Sequence, residues 1–337
     1  MNYISVGDMA QFHQMRRHNV QLKTLSSQLT RELTTGRKAD TGAAVRGDFT
    51  ALAGIERSLA SLASYRLANS EAAQLAGTMQ GALEVIQTMM SDIGPLLLSS
   101  STSSSATMVS ATTSDARQKL EAAIAALNTN TAGRYSFSGA ATDTRPLAST
   151  DEILTALSGV IAGETGTTAI VAAVSNWFDA PQGGGGYLDI AWRGGAPATA
   201  IQIGTEETAA LGLTAADGEI RNALKGLALA SLVSIGALAT DTEERARLTR
   251  AAGEMVMGAN DGLVLLRARV GAVEGQIASG QARNSAETAT LLIAKSGLTA
   301  ADPYETATAL EAVQTQLETL YTLTARLARL SLTDYLK

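Results

Sequence analysis

The chain has 337 residues, 45% of them hydrophobic but only 4% aromatic, and it contains no cysteine. A disulfide framework, thiolate chemistry and a zinc-ribbon site are therefore excluded. The net charge of −6 is spread without a basic run, which argues against a dedicated nucleic-acid binder.

Small residues supply much of the apolar fraction, which suits close helix–helix packing better than one thick core. No stretch of eighteen uninterrupted apolar residues occurs, so no membrane span is expected. Residues 1–20 hold no apolar core of signal-peptide length, so export, if it occurs, is expected to proceed without a cleaved signal.

Residues 1–35 are predicted as a helix, with Met15, Leu22, Leu25 and Leu29 on its apolar face and Gly36 as its stop. The segment 36–42 is a polar break with glycine at both ends. A longer helix is predicted from about 43 to 93. Ala76, Met79, Leu83, Ile86, Met90 and Ile93 follow one another there in steps of three and four, and Gly94-Pro95 is expected to close it. At 1.5 Å per residue it would span about 75 Å, a coiled-coil length. The serine-rich run 99–105 reads as a helix–helix turn. Ser114 or Asp115 is expected near the start of the next helix, which carries Leu120, Ile124 and Leu127.

Composition changes after Gly139. From 140 to 218 the chain is rich in glycine and holds both tryptophans. Short helices are predicted at 151–161 and 168–177, and 183–186 reads as a flexible link. Residues 187–192 and 199–203 are predicted as partner strands. This segment reads as a small α+β insert, separable from the helices. Helical pattern resumes at Glu219, with Leu224, Leu227 and Leu238 in one helix. A second long helix starts near Thr242 and carries Leu263, Leu266, Val270, Val273 and Ile277.

The last helix has a marked start. Asp302 is an N-cap, Pro303 suits the first helical position and Glu305 is the acidic arm of a capping box. Leu310, Val313, Leu317, Leu320, Leu323, Leu327 and Leu330 then form a seam in steps of three and four. A lone helix with such a seam needs partner helices.

Residues with chemical potential do not converge. His13 and His18 are five apart, whereas metal pairs on a helix need three or four. Glu243 and Glu244 are adjacent and diverge on a helix. The glycines at 183–186 lack the residues of a phosphate cradle. No catalytic constellation, cofactor site or metal site is found, so an enzyme is not expected. Arg134, Tyr135 and Phe137 read as a stiff domain junction, preferred over ligand contact. The fold class expected is mainly α, with long coiled-coil helices from both chain ends forming a stem and a small inserted α+β domain. The domains expected are 1–42, 43–139 with 219–301, 140–218, and 302–337.

With both ends read, the chain resembles the flagellin-like axial proteins of bacterial flagella. Thr34-Thr35-Gly36-Arg37 looks like that family's L-S-S/T-G-K/R helix end. Gly133-Arg134-Tyr135-Ser136-Phe137-Ser138-Gly139, with Thr142-Asp143-Thr144-Arg145-Pro146-Leu147, is similar to G-R-Y-L-F-S/A-G…T-D-T-x-P-F of its hook–filament junction branch. The ending Leu330-Ser331-Leu332-Thr333-Asp334-Tyr335-Leu336 looks like that branch's tail and not like that of filament flagellin. The resemblance covers about 1–147 and 219–337. The family's S-x-D-D-P acids are reduced here to Asp40, so the packing of the 36–42 loop is not carried over.

The resemblance implies an extracellular structural layer between hook and filament, exported by the flagellar type III route and transiently cytoplasmic. The implied partners are copies of the chain itself, the hook-side junction protein, filament flagellin and a cytoplasmic export chaperone on the C-terminal helix, with no nucleic acid or membrane. The alternatives are a filament flagellin or, from another class, a cytoplasmic coiled-coil adaptor.

Overall fold

The structure, a computed structural model, describes residues 6–103 and 105–333, with side chains described between 10 and 326. In chain order the helices are α1 (Val6–Thr35), α2 (Thr41–Ala44), α3 (Thr50–Thr102), α4 (Ala106–Leu127), α5 (Thr150–Val160), α6 (Thr167–Asp179), α7 (Tyr187–Ile190), α8 (Gly218–Ser234), α9 (Thr242–Thr299) and α10 (Pro303–Thr333). The strands are β1 (Asn130–Thr131), β2 (Arg134–Tyr135), β3 (Ile201–Gln202) and β4 (Thr208–Ala209), paired as two antiparallel hairpins. The protein is mainly α, with long helices at both ends and a small α+β part in the middle. Two compact units comprise Met1–Ala63 with Ser285–Lys337, and Ser64–Asn284. The helices α3 and α9 supply residues to both. The division falls at 63/64 and 284/285, not at the edges of the 140–218 segment.

In the first unit, α1 ends as its glycine predicts. Gly36 sits at φ +68°, the left-handed conformation glycine adopts without a Cβ penalty, and its N–H returns to Glu32 O at 2.8 Å. The Glu32 carboxylate takes the Ala39 N–H at 3.0 Å, and Asp40 caps the single turn of α2. The carboxylate of Asp302 accepts the N–H groups of Tyr304 and Glu305 at 2.8 and 3.1 Å and so starts α10. Two backbone bonds, Ala301 N–H to Gly36 O and Lys38 N–H to Thr299 O, hold the end of α1 beside the start of α10. The two helices therefore run antiparallel. Leu22, Leu29 and Val313 are buried between them.

In the second unit the three–four pattern of α3 faces one continuous core. Met79, Leu83, Ile86, Met90, Ile93 and Leu97 are buried together with Leu248, Val256, Leu263 and Leu266 of α9. The expected stop at Gly94-Pro95 is absent: Pro95 lies inside α3. Proline removes one N–H donor, but the apolar stripe continues to the fully buried Leu97, and burying it holds the helix together beyond the break. Gly94 instead makes room for α9, since a Cβ there would stand 2.7 Å from Met257 Sδ.

The serine run also differs from expectation. Residues 99–102 form the last turn of α3, and their hydroxyls donate to carbonyls three residues back, as Ser100 does to Leu97 O at 3.0 Å. Ser105 caps α4 by accepting the Met108 N–H, so α4 begins well before Ser114. At the far end, Leu238 falls outside α8, in a loop, at φ +53°.

The 187–192 strand is not formed. Tyr187–Ile190 is a helical turn, and Tyr187 and Ala191, four apart, are both fully buried. The carboxylate of Asp189 takes the N–H groups of Gly183 and Gly185 at 2.8 and 2.7 Å, so the glycine segment is a closed loop and not a flexible link. Residues 201–202 pair with 208–209 instead. Tyr187 stacks on Phe178 at 5.4 Å, and its hydroxyl donates to Ala215 O at 2.8 Å.

Helix α8 is the centre of this unit. Every residue from Ala223 to Val233 is buried, in keeping with a sequence that is apolar on all sides. The one charge among them, Lys225, reaches Asp179 at 2.7 Å, and Arg221 donates to Phe178 O at 2.6 Å. Both cations thus meet the C-terminal end of α6, where the helix dipole favours them. Phe137, Leu147, Leu157 and Phe178 join the same core, so the α+β part is built into it.

Candidate assembly surface

The seam positions divide into three groups. Leu22, Leu29 and Val313 are buried in the α1–α10 pair, and Leu310, Leu317 and Leu320 pack against them. Met15 is half-buried, whereas Leu25 and Leu323 are exposed. The side chains of Leu327 and Leu330, and the tail motif they lead into, lie outside the described residues. The heptad stripe is therefore wider than one partner helix covers.

Further apolar side chains lie off the stripe. Phe12 and Val20 on α1 and Tyr304 on α10 are exposed, Tyr304 at 83%. At 100° per residue, Val20 stands about 160° around α1 from Leu22, and Tyr304 about 180° around α10 from Val313. Heptad reasoning missed them because it follows one face; the signal was present as apolar residues out of register. Near the seam the Lys23 ammonium lies 5.9 Å from the Tyr321 ring centroid. Hydrogen bonding to Lys23, and then to Asn19, holds the Tyr321 phenol below its ordinary pKa. The pair thus has a small apolar core, one cation–aromatic clasp and uncovered apolar surface on several faces.

The other sequence candidates are exposed side chains or pair with a neighbouring residue. His13 and His18 are both exposed on α1. Among the described residues, no group of three or more His, Cys, Asp or Glu could hold a metal ion. Both Glu243 and Glu244 pair with Arg247. Hydrogen bonds from the Thr167 side chain and N–H hold Glu244 below the ordinary carboxylate range. Among the described residues, no helix is long and apolar enough to cross a membrane.

Arg134, Tyr135 and Phe137 have separate roles. The hairpin turns through Ala132 at φ +52° and Gly133 at φ +83°, the two left-handed residues of a type I′ turn. Arg134 then forms an ion pair with Glu71 on α3. The Tyr135 N–H donates to Thr142 O at 2.8 Å, while Phe137 is fully buried in the core. Arg134 and Tyr135 also line a cleft of about 520 Å³ against α3.

Residues 254–336 match the family described as the bacterial flagellin C-terminal helical region. The match takes in the later part of α9 and α10, and so includes the face that packs on α1. A solved structure from Vibrio parahaemolyticus, provisionally described as a flagellar hook-associated protein, aligns at 12% sequence identity and a TM-score of 0.40. That alignment covers 71% of this chain and 95% of the other. No curated protein matches the chain. Residues 254–336 of this mainly α chain are thus similar to the flagellin C-terminal helical region.

Proposed function

We propose that this protein is a structural subunit of the bacterial flagellum, placed as a layer between hook and filament. One observation carries the proposal. The helix that matches the flagellin C-terminal region packs on α1 through a thin core and leaves Leu25, Val20 and Leu323 uncovered. Apolar surface on several faces of one helix pair is satisfied by neighbouring subunits in a tube, not by a single partner. Copies of the chain, the hook-side junction protein and filament flagellin are the partners proposed. A cytoplasmic chaperone would cover α10 before export by the type III route, and the working location is the extracellular flagellum.

The test is electron microscopy of a strain lacking this chain. Hooks without filaments, with intact filament protein in the medium, are the expected outcome. The flagellin match itself favours a second reading, in which this chain is the filament subunit. That reading predicts bare hooks with no filament protein in the medium. Normal attached filaments in the deletion strain would sink both.

A further inference from the structure

We infer that the cleft beside Arg134 and Tyr135 binds a small, uncharged, largely apolar molecule. It encloses about 520 Å³ between α3, the β1–β2 hairpin and residues 198–213. That volume lies within the roughly 300–1,000 Å³ of small-molecule sites. Its apolar lining comes from Leu75, Ile201, Leu211 and Leu213, with the Tyr135 ring beside them. Threonines 78, 131, 142 and 199 supply neutral hydroxyls. The charges in the lining are Glu71 and Arg134, and they pair with each other. Both are more than half exposed and solvated at the rim, so the apolar part of the cleft offers a charged ligand no counter-charge, whereas a neutral one needs none.

Two further features define the occupant. The cleft is preformed: Gly139 sits at φ +65°, a Cβ there would stand 2.3 Å from Ala196 O, and the Ala140 N–H donates to the same oxygen at 2.8 Å. The backbone wall behind the lining is thus closed by direct contact and needs no moving loop. The cleft is also short. Helix α3 contributes only residues 71–78, about 12 Å of helix, less than a docked helix uses along a groove. Its size therefore fits a small molecule better than a partner helix.

The test titrates the full chain with N-phenyl-1-naphthylamine, a neutral apolar fluorophore, and in parallel with anionic anilinonaphthalene sulfonate. The wild type is expected to bind the neutral probe saturably and more tightly than the anionic one. Thr78→Trp, which fills the cleft from α3, should weaken that binding at least tenfold with helical content unchanged. Thr142→Trp fills it from the opposite wall and serves if Thr78→Trp misfolds. Absence of saturable binding, or binding undiminished in the folded tryptophan variants, overturns the site. A wild-type preference for the anionic probe overturns the ligand class.

Discussion

Asn69 and Asn284 donate to the same backbone oxygen, the carbonyl of Ile203, at 2.7 and 2.8 Å. The two amides come from α3 and α9, and the oxygen belongs to the tip of the β3–β4 hairpin. Gln276 donates to Thr208 O at 3.0 Å and Arg283 pairs with Glu207, so the hairpin is held along α9 as well. The α+β part is thereby tied to both long helices through backbone that strands alone would leave unpaired.

Asn69 is fully buried and also donates to Tyr65 O. Asn69→Ala should therefore cost about 1–3 kcal/mol, the penalty of stranding buried polar groups. Urea unfolding measures it. A loss below about 0.3 kcal/mol would show that the hairpin tip is not held through this amide.

Two glycines facing α9 should behave differently. A Cβ on Gly226 would meet the backbone nitrogen of Val256 at 2.9 Å, an atom that cannot move aside. Gly226→Ala should cost about 1–3 kcal/mol by overpacking. A Cβ on Gly94 presses on the exposed, flexible Met257 side chain and meets Val256 Cγ1 at 3.4 Å, an ordinary contact distance. Gly94→Ala should stay within about 0.5 kcal/mol. Equal thermal shifts for the two variants would contradict the packing of α8 on α9.

The seam offers a split between folding and assembly. Leu22→Ala opens a hole in the thin α1–α10 core and should cost about 2–3 kcal/mol, at the low end for buried leucine. Hydrogen exchange in 10–35 and 303–326 should rise while 64–284 stays protected. Leu323 is 50% exposed, so Leu323→Asp should leave that exchange pattern unchanged and abolish incorporation into flagella. Incorporation at the wild-type level would remove Leu323 from the subunit contacts.

The loop at 183–186 should respond to acid. Hydrogen bonds from the Gly183 and Gly185 N–H groups hold the Asp189 carboxyl below its usual range. A depressed folded pKa contributes stability above the unfolded value, near 3.9, which is lost as pH falls through the folded value. The protection of the Gly183 and Gly185 amides, measured as exchange relative to the intrinsic rate at each pH, should therefore fall as pH drops below about 4. In Asp189→Asn this acid-induced step should disappear. Protection factors that do not change with pH in the wild type would contradict the bond pair.

Replacing 148–213 with a Gly-Ser linker tests how separable the α+β part is. Sequence pattern alone suggests a soluble helical remainder. The deletion removes Leu157, Phe178 and Tyr187 from the core around α8, so aggregation or loss of cooperative unfolding is expected. A soluble, cooperatively melting remainder would show that α8 can close its core without them.

Local rules were enough for much of this chain. The stop at Gly36, the cap at Asp302 and the three–four pattern of α3 each depend on residues within a turn or two of one another. A reader of sequence sees those distances directly. Tertiary packing decided the rest. Pro95 stays inside a helix because Leu97, two residues on, is buried in the core. The alternation in 187–192 was overruled by one buried ring, Tyr187, and one carboxylate, Asp189, that gathers the glycine loop onto a helical turn. Arg134 finds Glu71 on a helix far away in sequence, and that pairing makes the wall of the cleft. In each case the deciding free energy came from groups brought together only on folding; spacing shows the stripe reaching Leu97, four residues after Ile93, but not that burial there outweighs the proline.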